Sequence, residues 1–219
     1  MASEHRPDDH PAAARVGIVL LTGPSGSGKS HLAARTGLPT VCLDDFYRDG
    51  TETELPVGPD GRTDWDDVRA WDATRALCTL TQLAVDGRAA LPIYDLAQDR
   101  TVGTHHLDVG DARLVIAEGI FAAELIDPCR HAGLLAGALC LTQGPGRTFW
   151  RRLVRDLREG RKAPWTLLRR GWRLRREEPA IIAHHRSLGA TVVDGDEALA
   201  RLHQLQAAAA DGHTDEEAA

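Results

Sequence analysis

The chain of 219 residues has no CxxC pair, no apolar run approaching the roughly 20 residues a membrane helix needs, no internal repeat and no coiled-coil heptad. Each absence removes a class. The four cysteines, Cys42, Cys78, Cys129 and Cys140, sit mostly inside apolar stretches and read as small core residues of a reducing compartment, not as disulfides or zinc ligands. The adjacent histidines His105-His106 and His184-His185 point in different directions from a strand or a helix and have no ligand spacing around them, so no zinc site is read. Residues 1–15 carry acids and two prolines and lack an apolar stretch of roughly 7–15 residues, which excludes a secretory signal there. A disordered leader and a cytoplasmic protein without membrane association are expected.

With 42% hydrophobic and 26% charged residues, the composition fits one globular α/β domain spanning residues 16–209. The net charge of −6 conceals an asymmetry. Between Arg147 and Arg176 twelve Arg/Lys face two acids, Asp156 and Glu159, a local balance of +10 that leaves −16 on the rest. One segment is built to meet anions, while the acidic remainder argues against nucleic acid as a partner of the whole surface. An RNA-binding patch confined to that segment, with Trp150, Trp165 and Trp172 stacking bases, is a lesser alternative to an arginine-rich lid.

Strand-like and helix-like segments alternate along the chain. Val16–Leu21 is a continuous apolar run ending at a glycine-rich stretch, as expected of a strand buried on both faces. A helix is predicted from Lys29 to Gly37, a second strand over Thr40–Leu43, a loop over Arg48–Asp64 and a helix from Asp66 to Val85 ended by Gly87. Leu91–Tyr94 and Thr101–Val109 read as a small hairpin. Strands follow at Arg113–Glu118, Ala138–Leu141 and Ala190–Val193, then a helix over Asp196–Ala209 and an acidic disordered tail over 210–219. The pattern predicts a parallel sheet of about five strands covered on both faces.

Gly23-Pro24-Ser25-Gly26-Ser27-Gly28-Lys29-Ser30 matches G-x4-G-K-S between a strand and a helix, the context the motif requires. Its glycines let successive N–H groups turn toward phosphate oxygens, and the helix start adds a positive dipole end. ATP is therefore the expected nucleotide, held by residues 23–30 and His31. Lys29 is expected against the β- and γ-phosphates, with Ser30 helping to hold Mg²⁺. A kinase also needs an acid beside the acceptor hydroxyl and acids near the metal. Asp44, just past the second strand, and Glu118, at the end of another, lie where ligands of open α/β sheets bind.

These residues carry a resemblance. The ordered set formed by residues 23–30, Asp44-Asp-Phe-Tyr47, Asp64-Trp-Asp66 with Ala70-Trp-Asp72, Pro92-Ile-Tyr-Asp95, Glu118-Gly-Ile120 and Arg151-Arg-Leu-Val-Arg-Asp156 resembles the uridine kinase family over about residues 16–195. The resemblance implies a P-loop fold and transfer of the γ-phosphate of ATP to the 5′-hydroxyl of uridine or cytidine, a step of pyrimidine salvage. It implies that Asp44 receives the hydroxyl proton, with Ser30 and Glu118 near Mg²⁺. Tyr47, Asp66 and Tyr94 would surround the nucleoside, and Arg151, Arg155 and Arg161 would belong to a lid over about 147–186, with Arg155 also touching substrate. The two tyrosines equally fit core-edge aromatics with a hydrogen-bonded tip.

The chain departs from the family pattern at Val68, where a proline is usual, and at Leu96 and Asp99, where an aromatic residue and a histidine read the pyrimidine. Altered base-reading positions can mean an altered substrate. Nicotinamide riboside, pantothenate or another small alcohol stays open as acceptor, as does a nucleotide-dependent regulatory or RNA-binding NTPase. A homo-oligomer also stays open.

Overall fold

The computed structural model describes residues 14–142 and 178–216, with side chains as far as residue 211. In chain order its elements are β1 (Gly17–Thr22), α1 (Lys29–Thr36), β2 (Thr40–Cys42), α2 (Ala73–Asp86), β3 (Arg88–Asp95), β4 (Arg100–Asp108), β5 (Leu114–Glu118), α3 (Ile126–His131) and β6 (Leu135–Leu141). A helix whose described part is 178–187, here α4, precedes β7 (Thr191–Val193) and α5 (Gly195–Glu216).

The apolar run of β1 is buried from Ile18 to Thr22 because it is the middle strand of a five-stranded sheet in the order β2-β5-β1-β6-β7, every pair parallel. Period-two alternation divides its side chains between two cores. Ile18 and Leu20 join Phe46, Trp71, Leu80, Leu83 and Leu125 on the face covered by α2 and α3. Val19 and Leu21 join Leu32 of α1 and Leu202 of α5 on the other. The expected doubly covered parallel sheet is present. All the parallel strands end on one edge, so the loops after β1, β2 and β5 meet there.

Helix α1 spans the predicted interval and stops at Gly37 in the left-handed conformation, φ 70°. The predicted hairpin is also present, with β3 and β4 forming a separate two-stranded antiparallel sheet.

Helix α2 starts at Ala73, not Asp66. The Asp67 carboxylate accepts the Arg69 N–H at 2.9 Å and caps a short 3₁₀ turn, Val68–Ala70. Trp71 then returns to extended backbone, bridges Tyr47 and donates its indole N–H to the Leu43 carbonyl at 2.7 Å. Asp72 accepts from Arg75 N at 2.9 Å and opens the true helix. Local side-chain bonds thus interrupt an apolar spacing that by itself reads as continuous helix. At the other end, α5 runs through Glu216, into the stretch read as an acidic tail. Cys129 and Cys140 are buried as expected, but Cys42 and Cys78 are exposed, because β2 is an edge strand and Cys78 lies on the outer side of α2. Residues 1–13 of the expected leader and the whole basic segment 147–176, including Arg151, Arg155 and Arg161, lie outside the described residues, and of the expected lid over 147–186 only 178–186 is described.

In α4, His185 is only 5% exposed, and its Nδ1 lies 3.1 Å from Thr22 Oγ1. Burial, assisted by nearby His184 and Lys29, pushes its pKa down to about 4 from an ordinary 6.5. The unfolded chain therefore takes up a proton that the folded chain refuses. Stability contributed by this neutral ring is present above pH 6.5 and lost as pH falls toward 4. Melting temperatures across that window should drop less steeply in His185→Leu than in the parent; parallel curves would contradict a buried neutral imidazole.

Candidate active site

The loop after β1 begins with a steric demand. Gly23 has φ +138°, and a Cβ there would lie 2.4 Å from the Leu141 carbonyl oxygen at the end of β6. No L-residue with a side chain fits this crossing without displacing backbone. Gly26 and Gly28 also take positive φ, 79° and 95°, which curls the loop before Leu32 N bonds Gly28 O at 2.9 Å and helix α1 begins.

The Lys29 side chain is buried and donates to the Gly23 and Pro24 carbonyls, at 3.0 and 3.4 Å, so its charge lies at the loop. Ser27 Oγ is buried with no hydrogen-bond partner among the described residues. A buried hydroxyl left unbonded is costly, and a phosphate oxygen is a partner of the right chemistry. Ser25 is half-buried on the loop, whereas His31 is exposed in the first turn of α1.

Ser30 donates its hydroxyl to Glu118 Oε1 at 2.5 Å. Glu118 ends β5, paired in register with Leu21 of β1, and is 6% exposed. Burial raises its pKa; the Ser30 hydrogen bond and Lys29 oppose the rise, and the Asp44 and Asp45 carboxylates add to it. A hydroxyl and a buried carboxylate are hard oxygen donors, suited to a Mg²⁺ that keeps several waters and bridges phosphates. The residues present thus fit ATP and Mg²⁺.

Asp44 lies in the 3₁₀ turn Leu43–Phe46 that follows β2. Its Oδ1 accepts the backbone N–H of Ile120 at 3.1 Å. The approach depends on Gly119, where a Cβ would meet Leu43 Cβ at 2.8 Å and Asp44 Oδ1 at 2.9 Å. Next to it, Asp45 accepts the Tyr94 N–H at 3.3 Å, and burial raises its pKa.

Tyr47 and Tyr94 stand together, ring centroids 5.8 Å apart, with Trp65 and Phe121 around Tyr47 at 5.7 and 6.1 Å. Both phenols are buried at the core edge and donate to backbone, Tyr47 to Trp65 O at 3.0 Å and Tyr94 to Arg48 O at 3.1 Å. The first bond ties the loop that carries exposed Asp66 to the Asp44 turn. Leu96 and Asp99 lie in the turn between β3 and β4, with Leu96 58% exposed and Asp99 at φ 49°.

Asp44, Lys29, Ser30 and Glu118 therefore converge on the carboxyl edge of the sheet. Sequence reasoning missed the supports of this site. Gly119 and Ile120 hold Asp44, and the signal for them was present in Glu118-Gly119 closing an apolar strand. For Thr22 and His185, behind the loop, only long-range contact gives the signal.

No family model matches the chain. It is 32% identical over 155 residues to the inorganic pyrophosphatase TTM2 of Arabidopsis thaliana, covering 68% of this chain and 21% of that protein. Against the uridine kinase of Saccharomyces cerevisiae it is 28% identical over 119 residues, covering 48% of this chain and 22% of that protein. The chain spans about a fifth of the length of the curated relatives it matches. Among solved structures, a protein assigned as a fructose transport system kinase from Silicibacter sp. TM1040 superposes with a TM-score of 0.55 at 20% identity, covering 81% of this chain and 88% of that one. The chain shares the fold of that protein, a doubly covered parallel sheet with a glycine-rich loop after β1.

Gly119→Ala should displace the Leu43–Asp44 turn and cost about 1–3 kcal/mol of stability, as overpacking does. Urea unfolding measures this, and an unchanged midpoint would show that the Asp44 turn yields freely.

Proposed function

We propose that this protein is an ATP- and Mg²⁺-dependent kinase that phosphorylates the primary hydroxyl of a small ribose-containing acceptor, with uridine or cytidine first in line. The observation that supports it is the juxtaposition, at one sheet edge, of a phosphate loop, a hydroxyl–carboxylate pair suited to Mg²⁺ and an acid fixed by the Ile120 N–H. A nucleotide hydrolase needs the first two; the positioned acid fits an acceptor hydroxyl.

The acceptor oxygen forms a bond to the γ-phosphorus while the bond from that phosphorus to the β-bridging oxygen breaks. Asp44 orients the hydroxyl and takes its proton. Lys29 stands against the charge that develops on the phosphoryl oxygens, and the loop N–H groups hold the remaining phosphates. Ser30, with Glu118 beside it, would hold Mg²⁺, which when bound would supply neutralisation of phosphate charge. Most of the acceleration then comes from positioning and charge stabilisation, because phosphoryl transfer asks little covalent chemistry of a protein. Asp66 beside Trp65, with Tyr47 and Tyr94, would line the acceptor side.

Labelled ATP offered with a panel of nucleosides and small alcohols tests the proposal. Transfer to a pyrimidine nucleoside, lost in Asp44→Asn while ATP binding persists, is expected. Transfer to nicotinamide riboside, pantothenate or another alcohol alone would keep the chemistry and change the substrate. Phosphate release from inorganic pyrophosphate, with no transfer to any acceptor, would sink the kinase reading in favour of the activity named for the Arabidopsis relative.

Two variants test the parts. Lys29→Ala should lose turnover by at least about two orders of magnitude, the scale of losing one transition-state charge contact. Glu118→Gln should weaken Mg²⁺-dependent ATP binding. In the nucleotide-free protein it should also remove a destabilisation that grows as pH rises through the raised Glu118 pKa, because there the folded chain holds a proton that the unfolded chain has released. Parallel stability profiles of parent and variant would contradict a buried charge at that position.

A further inference from the structure

We propose that His185 is a positioning residue for the phosphate loop and, by way of Thr22 and Ile120, for the Asp44 carboxylate. The second half rests on the kinase reading; the first does not. The His185 ring is enclosed between two strand ends, its Nδ1 3.1 Å from Thr22 Oγ1 on β1 and 3.7 Å from Cys140 Sγ on β6. Thr22 and Cys140 are themselves paired in the sheet, and the residue after Thr22 is Gly23, which opens the loop. The same Thr22 hydroxyl faces the Ile120 carbonyl at 3.5 Å, and the Ile120 N–H is the group that holds Asp44 Oδ1.

One side chain from α4 therefore meets the residue that leads into the phosphate loop and touches the segment that holds Asp44. Its neighbour adds a second anchor. His184 Nε2 lies 2.8 Å from Glu124 Oε1, in the 3₁₀ turn Ala122–Leu125 that follows β5 and Ile120. Successive histidines thus fasten α4 to the edge at two points, one inside and one at the surface.

An apolar side chain of similar size would fill the same space without the cost of burying an imidazole. What the ring offers beyond volume is a bond at Nδ1. Asparagine can present an amide group where Nδ1 stands; glutamine reaches instead toward the Nε2 position. These two substitutions separate positioning from packing.

The measurement is amide hydrogen exchange over residues 22–32 in the nucleotide-free protein, together with the Kd for fluorescent-labelled ATP with Mg²⁺ and the melting temperature. His185→Leu and Thr22→Val should each speed loop exchange and raise the Kd by about tenfold, the scale of one buried hydrogen bond. The double variant should be no worse than either single, since both remove the same bond. His185→Asn should restore loop exchange and Kd, whereas His185→Gln should not.

A lowered melting temperature in His185→Leu with parental loop exchange would overturn the proposal and leave His185 as packing. Equal rescue by asparagine and glutamine would also overturn it, and that comparison stands even if the leucine variant fails to fold. Should the parent bind no ATP while loop exchange still responds as described, the kinase reading fails and the positioning of the loop stands.

Discussion

The close approach of Gly23 to the end of β6 is the contact on which the rest of this site depends. A phosphate loop presents its N–H groups only where the chain can leave a buried strand and turn at once, and here the turn passes against a neighbouring carbonyl. That passage sets where the loop begins. Register then carries the consequence outward: Leu21 lies beside Glu118 and Thr22 beside Cys140, so the loop returns Ser30 over the end of β5. The cation, hydroxyl and buried carboxylate follow from strand order and one absent side chain.

The acid side of the edge is built differently. Asp44 lies in a short 3₁₀ turn, and its direction comes from a backbone N–H across the gap to β5. Burial raises the affinity of Asp45 and Glu118 for protons, the Asp44 charge adds to both rises, and Lys29 opposes the one at Glu118. Under the proposed function, a bound cation and polyphosphate would reverse this local balance.

Much of this was legible in the sequence because it is local. A buried strand, a glycine loop and a helix in immediate succession define the loop, and the alternation of apolar runs with helical spacing defines the parallel sheet. Acids directly after strands announce Asp44 and Glu118. The start of α2 was misread because Val68 and Trp71 keep helical spacing while Asp67 and the Trp71 indole bond the backbone elsewhere. His185 was illegible for a related reason: its partners Thr22 and Cys140 are distant in sequence, and a histidine pair looks the same whether it faces solvent or the underside of a loop. The tyrosines show the limit of composition, since their phenols bind backbone, a role that residue type alone does not distinguish from substrate contact.

The β3–β4 hairpin is fastened to the segment after Asp44 through Tyr94 to Asp45 and Arg48, Thr101 to Asp49 at 2.8 Å, and Gly50 to the Asp99 carbonyl at 2.6 Å. None of these bonds involves the phosphate loop. The two halves of this edge are therefore separately adjustable: insertions or substitutions in the hairpin can reshape the wall beside Asp45 while the glycine-rich loop keeps its strand register. A fold wired in this way can change one wall without disturbing the other, and the hairpin turn with its exposed Leu96 and the left-handed Asp99 is where this chain has room to diverge.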